Sequence, residues 1–500
     1  MIRSPLNRKV VIVVVALVIG VAPFRTNAQT VTDALRYSMF DVLGTARSSA
    51  TAGSMSALGG DFSVLNLNPA GTATYRGSEF TVSPAFFSNM TSAFLEDSDA
   101  PALSRQSNEL LLSNLGLVIA SRPRDPYWKT SNFAIGITKV ADFHQVLEYR
   151  GSTVGTITDR YLELAEGIPA DDLTGEAVLA FNAGAIYDFD GDLIYESDYL
   201  GGDVVPVLKR QSIESNGYNT ELLFSYGANY NEQFLFGFGI GVPILSFEER
   251  KVYREDDQQD EVPFFNALKY EEFLSTSGSG FNFKAGVIFK PVKHVNLGVA
   301  FHSRTRYALT DNFSSSLEYD YTDQDHDGPL LSESPDGSFN YNLRTPMVIS
   351  GSLGIVFAKS GFVSAEVQHR NFGGARFDYS GRGNGNAFNA EEDEVNTLIR
   401  SQLSNALTVR TGAELAVKKF RLRGGIEFDQ SPFSNDSSFD PTYNAGIGYR
   451  GDRFFIDAAF QYFTLDLGLL PYVVNSVPQP LVQQDISNTR FILTLAYRWQ

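Results

Sequence analysis

The sequence predicts an all-β fold, a transmembrane antiparallel β-barrel of about fourteen strands with an N-terminal plug inside its lumen. Three observations predict it. The C-terminal segment alternates strictly between two faces, many internal segments repeat that alternation, and the chain opens with a pattern typical of exported proteins. A closed barrel is the form in which strands cross a membrane, because closure pairs every backbone polar group.

The C-terminal segment shows the two faces most clearly. A period of two with one apolar face indicates a strand that borders a non-aqueous medium. The apolar face carries Phe491, Leu493, Leu495, Tyr497 and Trp499, and the other face carries Arg490, Thr494, Ala496 and Arg498. Terminal strands that end in an aromatic residue are recognised by the barrel-insertion machinery of diderm bacteria, which is therefore an expected partner. The last strand of a soluble sandwich would show the same alternation.

The first 28 residues favour the membrane interpretation. Arg3, Arg8 and Lys9 precede a short apolar run, and small residues lead up to Ala28, as in a secretory signal peptide cleaved after Ala28. The absence of cysteine excludes disulfides, thiolate metal sites and a lipid anchor at a cleavage-site cysteine. We therefore expect a signal peptide at 1–28, a plug or hatch at 29–77 and a barrel at 78–500.

Composition agrees with a large exported β-protein. Removing residues 1–28 takes the formal net charge from −18 to −22, which argues against nucleic-acid binding. Aromatic residues make up 13% of the chain and there are 43 glycines, as expected for a wall with aromatic girdles and bends. The expected location is the outer membrane of a diderm bacterium, with outer-membrane lipid around the wall.

The candidate wall strands are about ten residues or longer, close to the roughly 9–11 residues that a tilted strand needs to cross a bilayer. An even number is also typical of single-chain bacterial barrels. The candidates lie near 78–88, 107–121, 131–148, 217–231, 233–249, 279–291, 293–311, 341–358, 361–371, 403–417, 419–429, 441–450, 453–467 and 488–499.

Short turns alternate with long polar connections. Turns are expected at 231–232, 291–292, 418–419 and 451–452, and long outer loops at 150–216, 250–278, 312–340 and 372–402. Helical spacing between Asp159 and Ala183 predicts a short cap over the outer mouth. Asp323, Asp325 and Asp327 begin like a calcium loop, but Ser334 replaces the Glu required at its twelfth position, so a solvated acidic loop is the other interpretation.

The segment before the first wall strand is rich in Ala, Gly and Ser and closes with Asn68, Pro69, Ala70 and Gly71. Pro69 biases Asn68 to an extended conformation, Asn68 can close a local turn, and Gly71 admits a backbone conformation that other residues avoid. An ordinary turn before the first strand would fit as well. With the signal peptide and strand count, the segment resembles the plug of the FadL/TodX (OmpP1) family of outer-membrane transport proteins. Phe62, Ser63 and Leu67 depart from the usual family pattern, which leaves the cargo open.

The resemblance implies transport of a hydrophobic compound, of the long-chain fatty acid or aromatic hydrocarbon type. The compound would be captured outside, move the hatch and leave sideways through the barrel wall, since the bilayer dissolves an apolar tail better than water does. In the family the gap lies at a distortion in the third strand. Here that places it within 133–148, where Gly136 and Asp142 could mark a bulge and an irregular strand end is the other interpretation.

Candidate ligand residues follow from the wall pattern. Phe455 and Phe463 fall on an otherwise polar face, and Arg410, Arg421 and Arg423 could bind a carboxylate. The alternative is that these arginines pair with lumen acids, such as Arg410 with Glu414 or Arg423 with Glu427. The family also has a branch that serves protein secretion and surface attachment, so a docking scaffold for such partners is the alternative function.

An enzyme is not expected. The chain has five histidines and no Gly-x-Ser-x-Gly motif, and the neighbours His302 and Ser303 point to opposite faces of a strand. We expect no catalytic residue, cofactor or structural metal.

Overall fold

The computed structural model describes residues 11–12, 29–41, 43–199, 205–323, 326–357, 360–380, 384–385, 387–475 and 479–499. Most of the predicted signal peptide therefore lies outside the described residues. Val11 and Ile12 form a two-residue parallel pairing with Leu467 and Gly468.

The described residues form fourteen wall strands, each antiparallel to its neighbours, and this confirms the predicted barrel. The first strand pairs with the last from Ser78 opposite Trp499 to Leu95 opposite Val482, which closes the sheet. In chain order the strands are β1 Ser78–Leu95, β2 Leu103–Ile119, β3 Trp128–Asp142 and Gln145–Thr153, β4 Val207–Tyr230, β5 Phe234–Asp256, β6 Phe265–Val292, β7 Val295–His302 and Arg306–Thr322, β8 Asp327–Glu333, Gly337–Arg344 and Val348–Val356, β9 Gly361–Asn371 and Arg376–Asp378, β10 Asn405–Val417, β11 Phe420–Gln430, β12 Phe439–Arg450, β13 Phe454–Leu469 and β14 Val482–Trp499.

An apolar belt covers the outside of the wall. On β14, Phe491 and Leu493 are 50% and 42% exposed, whereas Ile492 and Thr494 between and beside them are buried. Other strands continue the belt with Val299, Val363, Leu422, Ile447 and Ile456, all exposed. Exposed apolar faces of this extent need a non-aqueous surrounding, so the belt marks where the barrel meets lipid.

An aromatic girdle borders the belt at the end with short turns. Trp128 packs against Tyr230 with ring centroids 5.2 Å apart, and Phe454 packs against Tyr497 at 4.8 Å. Tyr497 in turn stacks on Trp499 at 5.9 Å. Such rings are typical of a membrane interface, because they have an apolar body and a polar edge.

At the other end the wall continues well beyond the belt. β4, β5 and β6 contain 24, 23 and 28 residues, far more than a bilayer requires. The expectation of long loops at 250–278 and 312–340 is therefore wrong for most of their length, since β5 to β8 run through them. These residues are polar on the side facing water, so their sequence resembles a loop, but their inner side packs on an apolar cluster. The expected turn at 291–292 likewise lies two residues later, because β6 continues to Val292.

Helices fill the ends of the lumen. The plug contains α1 Val31–Arg36, α2 Ala46–Ala50, α3 Val64–Leu67 and a 3₁₀ helix at Pro69–Thr74. The predicted cap appears as α4 Thr158–Ala165 and α5 Gly175–Asn182, separated by the 3₁₀ turn Ala170–Asp172. A last helix, α6 Asn389–Gln402, follows the 3₁₀ turn Phe372–Gly374 and packs with α1 on the inner faces of β7 to β9.

No helix among the described residues is long and apolar enough to cross a membrane. The described residues also contain no group of three or more His, Asp and Glu side chains arranged to hold a metal ion. Asp325 of the suggested calcium loop lies outside the described residues.

Candidate functional site

The plug lies inside the barrel and touches most of the wall. Its middle is made of small residues, and Ala46, Ser48, Ala50 and Ala52 are all fully buried or nearly so. Wall glycines stand opposite them, because a side chain would collide with the plug. A methyl group at Gly425 would come within 3.0 Å of Thr51 and Ala52, and one at Gly446 within 2.5 Å of Ala50.

The Asn-Pro-Ala-Gly motif is held in the same way. Asn68 is extended at φ −142°, as predicted, and its side chain accepts from Ala70 N at 3.0 Å and donates to Ser56 O at 3.1 Å. Gly237 lies so close to Pro69 and Ala70 that no side chain fits between them. The motif therefore fixes the plug against β5 by direct backbone contact.

The conformational role expected for Gly71 is wrong. Gly59 and Gly60 have positive φ angles, of +65° and +70°, whereas the φ angle of Gly71 is not positive. A Cβ at Gly71 would approach the Cα of Gly59 to 3.3 Å, so Gly71 allows two plug segments to pack closely.

Ionic contacts join the plug to the wall. Arg47 of α2 contacts Glu414 of β10 at 3.0 Å, and Glu414 also accepts from Arg423 at 2.7 Å. Arg490 of β14 contacts Asp41 at 2.8 Å. The N-terminal end of the plug adds a hydrogen bond from Gln29 to Asp311, 2.7 Å long. These contacts are polar and exchangeable, so they hold the plug without covalent attachment.

A second polar cluster surrounds a small cavity beneath α1. Lys284 contacts Glu221 and Asn66, and Asn282 donates to Glu221 at 2.7 Å. His302 Nε2 lies 2.8 Å from Leu67 O, and Arg370 donates to Ser38 O at 3.3 Å. The plug residues Tyr37 to Phe40 and Val140 of β3 also line the cavity. The cavity has about 60 Å³ of free volume, enough for a few water molecules and too little for an acyl chain.

Beside this cavity the wall is incomplete. β3 pairs with β2 only from Phe133 opposite Ile119 to Thr138 opposite Asn114. Its pairing with β4 shifts register between Lys139 and Ala141, so Val140 is a bulge, and the strand breaks after Asp142. Among the described residues no ladder pairing joins the rest of β2, 103–113, to β3. This segment of β2 therefore has a free edge, which we call the wall gap.

Beyond the break, β3 bends into the lumen. Leu147 and Tyr149 pack on Ala93 and Leu95 of β1, which is two strands away. Side chains alone span the wall gap, with Arg105 to Glu148 at 2.5 Å and His144 to Glu109 at 3.7 Å. A free edge is costly in lipid unless water or protein covers it. The predicted distortion within 133–148 is thus present, as a bulge at Val140 and a break directly after Asp142, and not at Gly136.

Val140 lies at both the cavity and the wall gap. Its side chain lines the cavity, and its carbonyl accepts a hydrogen bond of 2.8 Å from Asp41 N of the plug. The bulge residue therefore touches the cavity, the plug and the wall gap at once.

The predicted ligand residues lie elsewhere in the lumen. Arg410 is 1% exposed and donates to Gln368 at 2.7 Å, Glu427 at 3.1 Å and Glu366 at 3.2 Å. Arg423 binds Glu414 and, at 2.7 Å, Asp457. The two arginines do pair with lumen acids, but mainly across strands, because residues four apart on one strand are too far from each other.

The remaining predicted residues sit near the ends of the wall. Arg421 donates to the turn carbonyls of Lys418 at 2.9 Å and Phe420 at 2.8 Å. The Phe455 ring lies under the guanidinium groups of Arg450 and Arg498, at 5.0 and 4.7 Å. Phe463 contacts Arg490 in the same way at 4.9 Å. None of the five lines the cavity, and their role in ligand binding stays a prediction.

Sequence reasoning missed the groups around the cavity. Glu221, Lys284, His302 and Arg370 are buried and charged or polar, each on the inner face of its strand. The sequence does contain a pattern that identifies such a residue. Lys284 lies on the opposite face of its strand from Phe281 and Phe283, which are exposed on the outer surface. Polar residues between lipid-facing aromatics point into a lumen.

The outer cap is anchored by two buried charged residues of the wall extension, Glu255 and Lys209. Glu255 accepts from Thr156 Oγ1 at 2.5 Å, Tyr253 OH at 2.7 Å and Ile157 N at 2.9 Å. Lys209 donates to the carbonyls of Thr153 and Gly155 at 2.6 and 2.7 Å. Burial raises the pKa of Glu255 and lowers the pKa of Lys209. The pair holds the start of α4 onto the wall extension.

Taken together, the fold and the lumen define a plugged, fourteen-stranded transmembrane barrel with an interrupted third strand. Solved structures have a similar overall fold. A FadL homologue from Pseudomonas aeruginosa matches with a TM-score of 0.54 and 13% identity, covering 93% of this chain and 100% of that one. The Pseudomonas putida toluene transporter TodX matches with a TM-score of 0.52 and 12% identity, covering 92% and 100%.

The chain therefore has the FadL/TodX barrel fold, and the resemblance predicted from the plug and strand count is confirmed at that level. No protein-family model and no curated protein matches the sequence.

Proposed function

We propose that this protein is a transporter that carries a hydrophobic compound, of the long-chain fatty acid or aromatic hydrocarbon type, across the outer membrane of a diderm bacterium. The shared fold with a FadL homologue and a toluene transporter supports the proposal. The wall gap beside the cavity is the observation that carries it. A pore for hydrophilic solutes has no use for an interrupted strand at the lipid, whereas an apolar solute leaves most easily into the bilayer.

Residues 29–77 act as a movable hatch in this proposal. The closed cavity is too small for the cargo, so Tyr37 to Phe40 must leave it before a ligand enters. Arg370 would then lose the Ser38 carbonyl, its hydrogen-bond acceptor from the plug. Among the described residues no carboxylate forms an ion pair with Arg370. This favours a cargo with an anionic or polar head over a bare hydrocarbon, because such a head replaces the lost acceptor.

Hatch movement can be tested with disulfides, since the native chain has no cysteine. Ser54 Oγ of the plug lies 2.8 Å from Ser364 Oγ of β9, so Ser54→Cys with Ser364→Cys pins the plug to the wall. Ser83 and Thr494 make a matched control, because their hydroxyls are 2.8 Å apart and both belong to the wall. Oxidation should stop uptake of radiolabelled fatty acid or toluene in the first pair and reduction should restore it. Normal uptake with the plug pinned would contradict hatch movement.

Sideways exit is tested at the bulge. Deleting Val140 removes the extra residue of β3 and favours continuous pairing with β2, which closes the wall gap. Uptake should fall by at least about tenfold while the barrel still folds. Deleting Asn231 from the β4–β5 turn is the control for a one-residue deletion. If the Val140 deletion transports like the native protein, the wall gap is not the exit.

The alternative function is a docking scaffold for secretion or surface-attachment partners. The long extension of β4 to β6 beyond the belt favours it, because a channel alone needs no such height. Extraction of lipids and small molecules from the purified protein, followed by mass spectrometry, separates the two. A transporter should retain an apolar ligand at a defined stoichiometry, and its absence together with unchanged uptake in a deletion strain would favour the scaffold.

A further inference from the structure

A row of arginines crosses the outer face of three adjacent strands. Arg306 of β7 stands directly opposite Arg344 of β8, and Arg344 stands opposite Arg376 of β9. The residues beside them in sequence, Tyr307, Leu343 and Phe377, are buried toward the lumen. Alternation therefore directs all three arginines outward.

Two more arginines join the row. Arg304 lies in the interruption of β7 and Arg400 lies in the last turn of α6, and both are close enough to act electrostatically on the Arg376 guanidinium. Arg376 itself donates to the carbonyls of Gly373 and Ala375, at 2.9 and 2.5 Å. Among the described residues no carboxylate forms an ion pair with any of these five side chains. We call Arg304, Arg306, Arg344, Arg376 and Arg400 the arginine row.

The arginine row lies in a strongly acidic protein. The chain has a formal net charge of −18, and several of its other exposed arginines pair with acids. Arg210, for example, contacts Asp256 at 2.6 Å, and Arg250 contacts Glu271 at 2.8 Å. Like charges directly opposite each other on neighbouring strands destabilise a sheet. An external anion that bridges them would remove that repulsion.

The arginine row lies at the outer border of the apolar belt. Phe281, the partner of Arg306 on β6, is 46% exposed, and just below lie Phe301 at 43% and Met347 at 41%. From Val295 to Arg306, β7 covers close to the roughly 9–11 residues that cross a bilayer. Above the row the outer face becomes polar. The guanidinium groups therefore stand at the depth of the lipid headgroups.

The wall is also distorted at this level. β7 is interrupted between His302 and Arg306, β8 between Arg344 and Val348, and β9 between Asn371 and Arg376. The breaks are held in place, since Thr305 and Thr345 exchange hydrogen bonds of 3.0 and 3.1 Å. Irregularities of this kind redirect side chains. Arg306, Arg344 and Arg376 thus lie beside interruptions at the same height in three neighbouring strands.

We infer that the arginine row binds the phosphate-bearing headgroup of a lipid in the outer leaflet. Guanidinium forks match phosphate oxygens in pairs, and a headgroup with two phosphates spans several arginines on adjacent strands. The exposed aromatic and aliphatic side chains below the row then contact the acyl chains. Basic clusters at membrane depth are suited to such headgroups. This site lies on the outside of the wall and is independent of transport through the lumen.

The test uses the purified full-length mature protein and native mass spectrometry with bisphosphorylated lipid A as the probe. The variant is Arg306→Gln, Arg344→Gln and Arg376→Gln combined. The matched control is Arg150→Gln, Arg210→Gln and Arg254→Gln combined, because these arginines also face each other across three strands but lie near the far ends of β3, β4 and β5. We expect the first variant to bind the lipid at least about tenfold more weakly and the control to bind as the native protein does.

Folding of each variant is checked by heat-dependent migration on gels. If the triple variant does not fold, the single variant Arg344→Lys replaces it, because lysine keeps the positive charge but lacks the two-pronged guanidinium group. It should bind more weakly than the native protein. Equal affinity for lipid A with and without its phosphates would overturn the inference. So would equal loss in the control variant, or complete displacement of the lipid by excess inorganic phosphate, which would show a general anion site instead.

Discussion

At the scale of single residues, glycine shapes the inside of this barrel. Gly237, Gly286 and Gly425 point into the lumen and leave room for the plug backbone, so the plug fits without a layer of side chains between. The polar contacts from Arg47 and Asn68 are added to that close fit. The plug is thus held in the lumen by shape and by exchangeable hydrogen bonds.

Gly237→Val tests this fit. The new side chain would overlap Pro69 and Ala70, so we expect the plug to be displaced or the closed state destabilised by about 1–3 kcal/mol. Electrical conductance in planar bilayers should rise above that of the native protein. Gly351→Val is the control, because a Cβ at Gly351 has nothing within 4 Å. Equal conductance in both variants would show that the plug does not depend on this contact.

The pH dependence of one plug contact also follows from single residues. Arg76, at the end of the plug, contacts Glu232 in the β4–β5 turn at 2.5 Å, and this hydrogen bond lowers the pKa of Glu232. A lowered pKa means that the stabilisation is present above the ordinary value of about 4.3 and is lost as the pH falls through the folded value. Hydrogen exchange of residues 74–77 should therefore increase below about pH 4.

Glu232→Gln is the control for that experiment. It should show the faster exchange already at neutral pH and no further change on acidification. Since both side chains are about half exposed, the effect on stability should stay below about 1 kcal/mol. Acid-dependent exchange that persists in Glu232→Gln would assign the effect to another group.

At the scale of elements, the third strand and the outer cap depart from a regular barrel. β3 loses its pairing with β2 after Thr138, bulges at Val140 and then bends inward while still paired with β4, which leaves the edge of β2 free. α4 and α5 cover the mouth, and Arg160 joins them to each other through Glu176 at 2.6 Å. The cap is thus attached to the wall extension by buried polar contacts and by a shared apolar cluster.

Glu255→Ala should loosen the cap. It leaves Thr156, Ile157 and Tyr253 without their acceptor, and each unpaired buried donor costs about 1–3 kcal/mol. Hydrogen exchange in α4 should rise by at least about tenfold, while exchange in β10 to β14 stays unchanged. Glu261→Ala, an exposed residue of the neighbouring loop, is the control. Unchanged exchange in α4 would mean that the apolar cluster alone holds the cap.

At the scale of the whole molecule, the belt decides between a membrane barrel and a soluble one. Val299→Arg places a charge inside the belt, and Leu331→Arg places one on the extension above it, where the native side chains are 60% and 58% exposed. Val299→Arg should lower the free energy of unfolding in lipid bilayers by about 2–4 kcal/mol, and Leu331→Arg should lower it by less than about 1 kcal/mol. Urea titrations in lipid vesicles measure both. Equal costs would mean that the two surfaces face the same solvent.

Much of this architecture was predictable because a two-residue period is a local property. Phe491, Leu493 and Leu495 face outward as their alternation predicts, and all fourteen candidate strands are present. The extensions of β4 to β7 were not predictable in the same way. Their outer residues face water and their inner residues face the cap, so no lipid imposes an apolar side.

The sequence by itself thus determined the strands, the closing end of the wall and the plug motif, since each depends on neighbours along the chain. Only the tertiary structure decided which residues meet inside. Arg410 with Glu366, Arg47 with Glu414 and the cavity around Arg370 join distant strands. These contacts depend on the register of the barrel strands and on the bend of β3. Neither can be predicted from the pattern of neighbouring residues in the sequence.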